Sequence, residues 1–301
     1  MYACRCVAYS MTAQMLEGSL FQDKTLVLSK EATLDSQEVK DKSEAVIVQC
    51  LDWCRTAGIK SIRGLGIDAF AVSLLGVDAA GNPVTPCFSY ADTRTDEFAQ
   101  ALRSKLGEKA QAEAFERTGT VIHGSYAAAH YLRICAQQPE LVPRVVVWRT
   151  LGAHLIAQLA GGDSSSPVGY SEASWTGLMN RHTLQWDQAL CDAIGLSTDR
   201  LPPLVDLEDT LSFSSEWIGQ YPELAGAQIF MALGDGAAAN VGSGATDQSR
   251  ICVTVGTSAA VRCVIKSATA PKLAAGLWNY RISRNRHLIG GALTDAGSLY
   301  Q

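Results

Sequence analysis

Residues 230–243 read FMALGDGAAANVGS. An apolar run meets an acid, Asp235, held between Gly234 and Gly236, and a segment of small residues follows. Residues 237–241 suit a helix that begins near the acid. Two readings fit this pattern. Asp235 is a turn aspartate capping the following helix through backbone N–H groups. Alternatively, it is a carboxylate at the end of a buried strand, kept clear of side-chain bulk so that a substrate hydroxyl can come close. The second reading gives a group suited to accepting a proton, or orienting an attacking hydroxyl, in phosphoryl transfer.

The rest of the chain narrows the setting. It has 301 residues, 47% hydrophobic and 18% charged, with a formal net charge of -5. A mildly acidic chain with no Lys/Arg stripe has no electrostatic basis for holding nucleic acid or an anionic membrane. No uncharged apolar run approaches the roughly 20 residues a spanning helix needs. These features argue against a nucleic-acid or membrane partner, and the cysteine usage fits a cytoplasmic protein. The nine cysteines are scattered, with Cys4 and Cys6 two apart and Cys50 and Cys54 four apart. An odd count without a second close pair reads as buried free thiols, not a disulfide framework. The five histidines contain no H-x-x-x-H pair, so a zinc site has no support.

Apolar spacing predicts a first strand over 6–9 paired with 24–28, then a helix over 36–57 carrying Val39, Ala45, Val46, Val48, Leu51 and Trp53. IRGLGIDAF reads as a buried strand, and LLGVDAAGNPV alternates before turning at Ala80-Gly81-Asn82. Helices are expected over 95–109, 126–136 and 151–159, with LPPLVDL as an extended connection. Residues 250–265, RICVTVGTSAAVRCVI, read as two strands around a Gly-Thr-Ser turn, followed by LWNYRI and HLIGGAL. A strand hairpin restarting near 250 divides the chain into 1–245 and 246–301.

Four further segments are candidates for chemistry. In VTVGTS, Gly256 permits a tight turn whose N–H groups, with Thr257 and Ser258, could surround phosphate oxygens; an ordinary hairpin is the competing reading. In SYADTR, Asp92 and Arg94 form a fixed salt bridge at a domain surface or face a polar ligand; the competing reading is a helix N-terminus with Asp92 capping and Arg94 solvated. GTVIHGSYAAAHY places His123 and Tyr126 before a helix of small residues, where either could meet a sugar hydroxyl or serve structure alone. GYSEASWTGLMN reads as a packed turn or a substrate-side loop, with packing the better fit.

Taken in order, GVDAAGNPVTPCFSYADTR, FERTGTVIHGSY, SEASWTGLMN, LPPLVDL, FMALGDGAAANVGSG, CVTVGTSAAVR and HLIGGALTDAGS resemble successive signatures of the FGGY carbohydrate kinases, most of all the gluconokinase-like members. The resemblance implies an α/β protein of the actin-like, ribonuclease-H-like ATPase fold. It implies a nearly complete first domain over 1–245, lacking its first strand, and the beginning of a second over 246–301. By the same resemblance, Asp235 stands for the catalytic base, and Asp92, Arg94 and Tyr126 join it in binding the acceptor. Gly256, Thr257 and Ser258 match a phosphate-binding loop, and ATP with Mg2+ is the implied cofactor. The implied reaction is phosphorylation of a sugar, polyol or sugar acid, with a gluconate-like acceptor favoured.

Departures from the pattern are also legible. MYACRCVAYS resembles the family's second strand, so the D-x-G-T-like first strand is not found here. Tyr90 replaces a usual Trp, and DAFAV stands where relatives carry an aromatic-His or Met-His pair. A non-catalytic carbohydrate- or partner-binding remnant, or an inactive truncated kinase, is therefore the alternative. Strand edges left open by such losses are expected to favour self-association.

Overall fold

The computed structural model describes residues 3–70, 72–255 and 259–293. Short strands and eight α-helices make up the described residues, and two stretches of pairing decide where a site can form.

The first is an interrupted parallel pair. Strand Gln228–Phe230 runs parallel to Gly64–Leu65, with Ile229 opposite Leu65. A few residues on, Leu233–Gly234 runs parallel to Asp68–Ala69, with Leu233 opposite Asp68. Leu233 N–H donates to the Ile67 carbonyl at 3.0 Å, so the two short ladders continue one another. Thr210–Ser212 adds an antiparallel edge to Gln228–Phe230. Ile229, Met231 and Ala232 are buried against Leu51, Ile156, Leu159 and Phe213. Burial of that run, at about 25 cal/mol per Å² of apolar surface, fixes the strand that delivers Asp235.

The second is a four-stranded antiparallel sheet ordered Ile251–Val255, Ala259–Lys266, Arg286–Leu293, Trp278–Ser283. Val255 lies opposite Ala259. Its edge strand presents Ile251, Val253 and Val255, all more than half exposed.

Helix Ser36–Thr56 forms where the apolar spacing places it. Asp35 caps it by accepting from Glu38 N–H at 2.9 Å, and Val39, Val46, Cys50, Leu51 and Cys54 are buried. Other boundaries differ from expectation. The first hairpin pairs Cys4–Cys6 with Phe21–Asp23, not 6–9 with 24–28. The alternation of Cys4, Arg5 and Cys6 sets that register, because both cysteines turn toward the helix and Arg5 toward solvent. IRGLGIDAF is not one buried strand; it breaks into Gly64–Leu65 and Asp68–Ala69. The helix expected to end at 109 runs over Asp96–Thr118, bending at Gly107, whose φ of +72° only glycine adopts readily. The expected turn after Val77 is present, with Asp78 Oδ1 accepting from Ala80 and Asn82 N–H.

Candidate active site

Asp235 is the first residue of helix Asp235–Gly242 and directly follows strand Leu233–Gly234. It is exposed, and its Oδ1 accepts from Gly236 N–H at 2.7 Å. Because Leu233–Gly234 and Asp68–Ala69 are parallel and in register, Asp68 lies opposite Leu233, two residues before Asp235 and on the same face of the pair. Partial desolvation raises the Asp68 pKa first, the Asp235 charge raises it further, and Arg5 opposes both. Two interacting carboxylates beside the carboxyl ends of parallel strands occupy the place where open α/β sheets bind ligands.

The glycines flanking Asp235 have a structural cause that the sequence alone left open. A Cβ on Gly234 would lie 2.7 Å from Trp175 Nε1, and one on Gly236 would lie 3.0 Å from the far edge of the same indole. Thus the room beside Asp235 is filled by Trp175. Helix Tyr170–Trp175 also supplies Ser171, whose Oγ accepts from Gly234 N–H at 3.3 Å. The carboxylate is consequently presented by a strand end clamped on one side and open to solvent on the other.

Trp175 continues into an aromatic stack. Tyr280 lies 4.0 Å from it, centroid to centroid, at 12°, and Trp278 lies 4.5 Å from Tyr280 and 6.1 Å from Trp175. The hydroxyls of Tyr126 and Tyr280 are 2.5 Å apart. Tyr126 and the Asp235 strand end therefore meet the same stack from different sides. With its hydroxyl committed to Tyr280 and burial raising its pKa, Tyr126 contributes as packing as much as polarity.

Asp92 and Arg94 are brought to each other and to Arg133. Asp92 is 2% exposed, with Arg94 Nη2 at 2.7 Å and Arg133 Nη2 at 3.2 Å. Asp92 also caps a 3-10 turn through Arg94 N–H. Burial alone would raise its pKa; the Arg94 hydrogen bonds and the Arg133 charge outweigh that and lower it. Both carboxylate oxygens are occupied by protein donors, so in this structure the pair is a scaffold. Gly256, Thr257 and Ser258 lie outside the described residues.

Glu172 and Trp175 were not singled out from sequence. Phe70, Val72, Ser73, Thr150, Glu172, Trp175 and Gly234 line a narrow cleft at the strand end. Glu172 is buried; its Oε1 accepts from Gly152 N–H at 3.1 Å, and the Thr150 side chain and Ala153 N–H also favour its charged form. Desolvation pushes its pKa up to about 7. The cue was GYSEASWTG itself, in which an acid and a tryptophan share one short helix. Asp68 was legible as an acid within the apolar run IRGLGIDAF.

For a divalent cation, the described residues hold no cluster of three or more His, Cys, Asp or Glu. Asp68 and Asp235 offer two carboxylates. That fits Mg2+, which takes one or two protein carboxylates and fills its octahedron with water and phosphate oxygens.

Comparison with solved structures gives the class first. The chain superposes on the crystal structure of gluconate kinase from Lactobacillus acidophilus with a TM-score of 0.85 at 20% identity, covering 99% of this chain and 59% of that one. A kinase from Brucella ovis, described as a xyloylose kinase, gives 0.87 at 17% identity, covering 98% and 59%. The fold is that of the actin-like ATPases. Residues 6–242 match the model for the FGGY family of carbohydrate kinases, N-terminal domain, and the chain belongs to that family. It is 28% identical over 243 residues to gluconokinase of Bacillus subtilis (strain 168), covering 79% of this chain and 45% of the relative. Apulose kinase of Pectobacterium atrosepticum is 30% identical over 227 residues, covering 72% and 44%. The chain spans about half the length of the curated relatives it matches.

Proposed function

We propose that this chain takes part in ATP-dependent phosphorylation of a small polyhydroxylated acceptor, with a gluconate-like sugar acid favoured. The observation that carries this reading is Asp235, exposed at the carboxyl end of a parallel strand and paired in register with the strand of Asp68. Asp235 accepts the proton of the attacking hydroxyl as its oxygen bonds to phosphorus, which makes that oxygen a better nucleophile. Trp175 and Ser171 hold the strand end while this happens. ATP with Mg2+ supplies the phosphoryl group and charge neutralisation, and residues 256–258 are assigned to its phosphates by resemblance. The gluconokinase and gluconate kinase relatives support the acceptor class.

The proposal divides the chain at 245/246, supported by the family match ending at 242 and the sheet beginning at Ile251. It places the protein in the cytoplasm; no described helix is long and apolar enough to cross a membrane. The exposed Ile251, Val253 and Val255 support self-association along that edge. Calorimetric titration of the chain with gluconate, xylulose and glycerol tests the acceptor class. Saturable gluconate binding weakened by Asp235→Ala is expected; tight binding of glycerol alone would overturn the acceptor.

A further inference from the structure

A buried arginine joins the helix that begins at Asp235 to the hairpin that follows it. Arg262 stands in strand Ala259–Lys266, directly opposite Cys252. Thr254 is two residues beyond Cys252 and so on the same face, toward the end of the strand that leads into residues 256–258. The Arg262 guanidinium reaches both elements. Its Nη2 donates to Thr254 Oγ1, and its Nε donates to Asn240 Oδ1 at 3.1 Å. Asn240 is fully buried in helix Asp235–Gly242, one turn after Gly236 and therefore on the same helix face. A Cβ on Gly236 would lie 3.6 Å from Arg262 Cδ, so the arginine stem passes beside the residue next to Asp235.

Both acceptors are neutral side chains, and among the described residues no carboxylate forms an ion pair with Arg262. The buried Arg133 and Arg181 have Asp92 and Glu116 for that purpose. Arg149 and Arg281 lack an acid but close on backbone carbonyls. A guanidinium stays charged in proteins, and a buried charge without a counter-charge is costly. The amide beside it also has a donor to spare, since Asn240 Nδ2 is buried with no acceptor among the described residues. A charged fork and an amide donor next to a carboxylate that meets a hydroxyl suit an anionic oxygen.

We propose that Arg262 is a substrate-binding residue of this site that holds an anionic oxygen, supplied by the carboxylate of a sugar-acid acceptor or by a phosphate of the nucleotide. The inference rests on the reading of Asp235 as the base in phosphoryl transfer. Held between Asn240 and Thr254, the guanidinium is set in one orientation before the anion arrives, so little side-chain freedom is lost on binding. Its stem keeps it near Asp235, and Thr254 draws its head toward the segment assigned to phosphates. A neutral polyol offers no such oxygen, so a carboxylate bound here makes Arg262 the residue that separates sugar acids from polyols.

Calorimetric titration of the full chain distinguishes the two sources. Gluconate, its uncharged counterpart glucitol, and ATP with Mg2+ are titrated singly into wild type, Arg262→Gln and Arg262→Lys. Arg262→Gln is expected to weaken gluconate, for an acceptor carboxylate, or ATP, for a phosphate, by roughly 10–100-fold, and to leave glucitol unchanged. Arg262→Lys recovers part of the loss because it keeps the charge. Unchanged affinity for both anions overturns the proposal, and so does an equal loss for all three ligands, which is the mark of a structural clamp. Should the variants fold poorly, the Arg262 Nε–H resonance of wild type, assigned by through-bond correlation, decides: it shifts with gluconate or ATP and not with glucitol, and no shift with either anion overturns the proposal. A wild-type chain that binds neither anion overturns the phosphoryl-transfer reading along with this one, whereas anion binding indifferent to Arg262 overturns this one alone.

Discussion

Asp68 lies directly opposite Leu233 on a parallel strand, two residues before Asp235 and on the same face, and the Asp235 charge raises the Asp68 pKa. Two like charges this close repel one another, and the proposed cation or hydroxyl donors would relieve that repulsion. What holds the pair in place is equally open to measurement.

Trp175 fills the space beside both glycines, so adding a methyl group there must displace it. Gly234→Ala brings a Cβ to 2.7 Å from the indole and Gly236→Ala to 3.0 Å, so the first should destabilise more. Overpacking of this kind costs about 1–3 kcal/mol. Urea unfolding of both variants checks the order; equal and negligible losses would mean that Trp175 does not form this wall.

Asp92→Asn should act on stability before it acts on ligand affinity. It removes the charge facing Arg133, which is buried with Asp92 at 3.2 Å. Leaving one member of a buried pair uncompensated costs roughly 3–5 kcal/mol. Chemical denaturation reads this directly. An unchanged midpoint together with lost acceptor binding would assign Asp92 to the ligand instead.

The pH dependence of stability has two opposing parts. Desolvation lowers His130 and His154 to about 4 and His287 to about 3, so their contribution is lost as pH falls below about 6.5. Glu172 has the opposite sign. Its folded pKa, about 7, lies above the ordinary 4.5, so the folded state holds an extra proton between those values and loses stability as pH rises through them. Glu172→Gln removes this loss, worth roughly 3 kcal/mol at about 1.4 kcal/mol per pKa unit. Melting curves at pH 5 and 8 should show the variant gaining over wild type only at the higher pH. An equal effect at both would mean that Glu172 does not titrate in this range.

Long periodic segments were legible in the sequence because their apolar faces match one partner each. Helix Ser36–Thr56 and the paired strands around 256–258 follow from spacing alone. The interrupted strand at 62–70 was not legible, since its parallel partner lies more than a hundred residues away and local alternation carries no trace of it. Asp235 was readable from its glycines, but their cause was not. Trp175, which requires them, comes from a short helix whose sequence looks like any packed turn. Likewise, SYADTR left a ligand-facing pair and a fixed one equally open, because Arg133, the residue that favours the fixed pair, sits on a separate helix.

The central claim is that Asp235 accepts the proton of an attacking hydroxyl. The direct measurement is ATP-dependent phosphate transfer to saturating gluconate, followed by phosphorus NMR for the wild-type chain and Asp235→Asn, with thermal unfolding of both alongside. Loss of a general base lowers rate by about 10²–10⁴-fold. The account predicts a kcat loss in that range with the unfolding temperature little changed, since Asp235 is exposed. Near-normal kcat in Asp235→Asn, or a wild-type chain that transfers no phosphate to any acceptor while binding one, would contradict it.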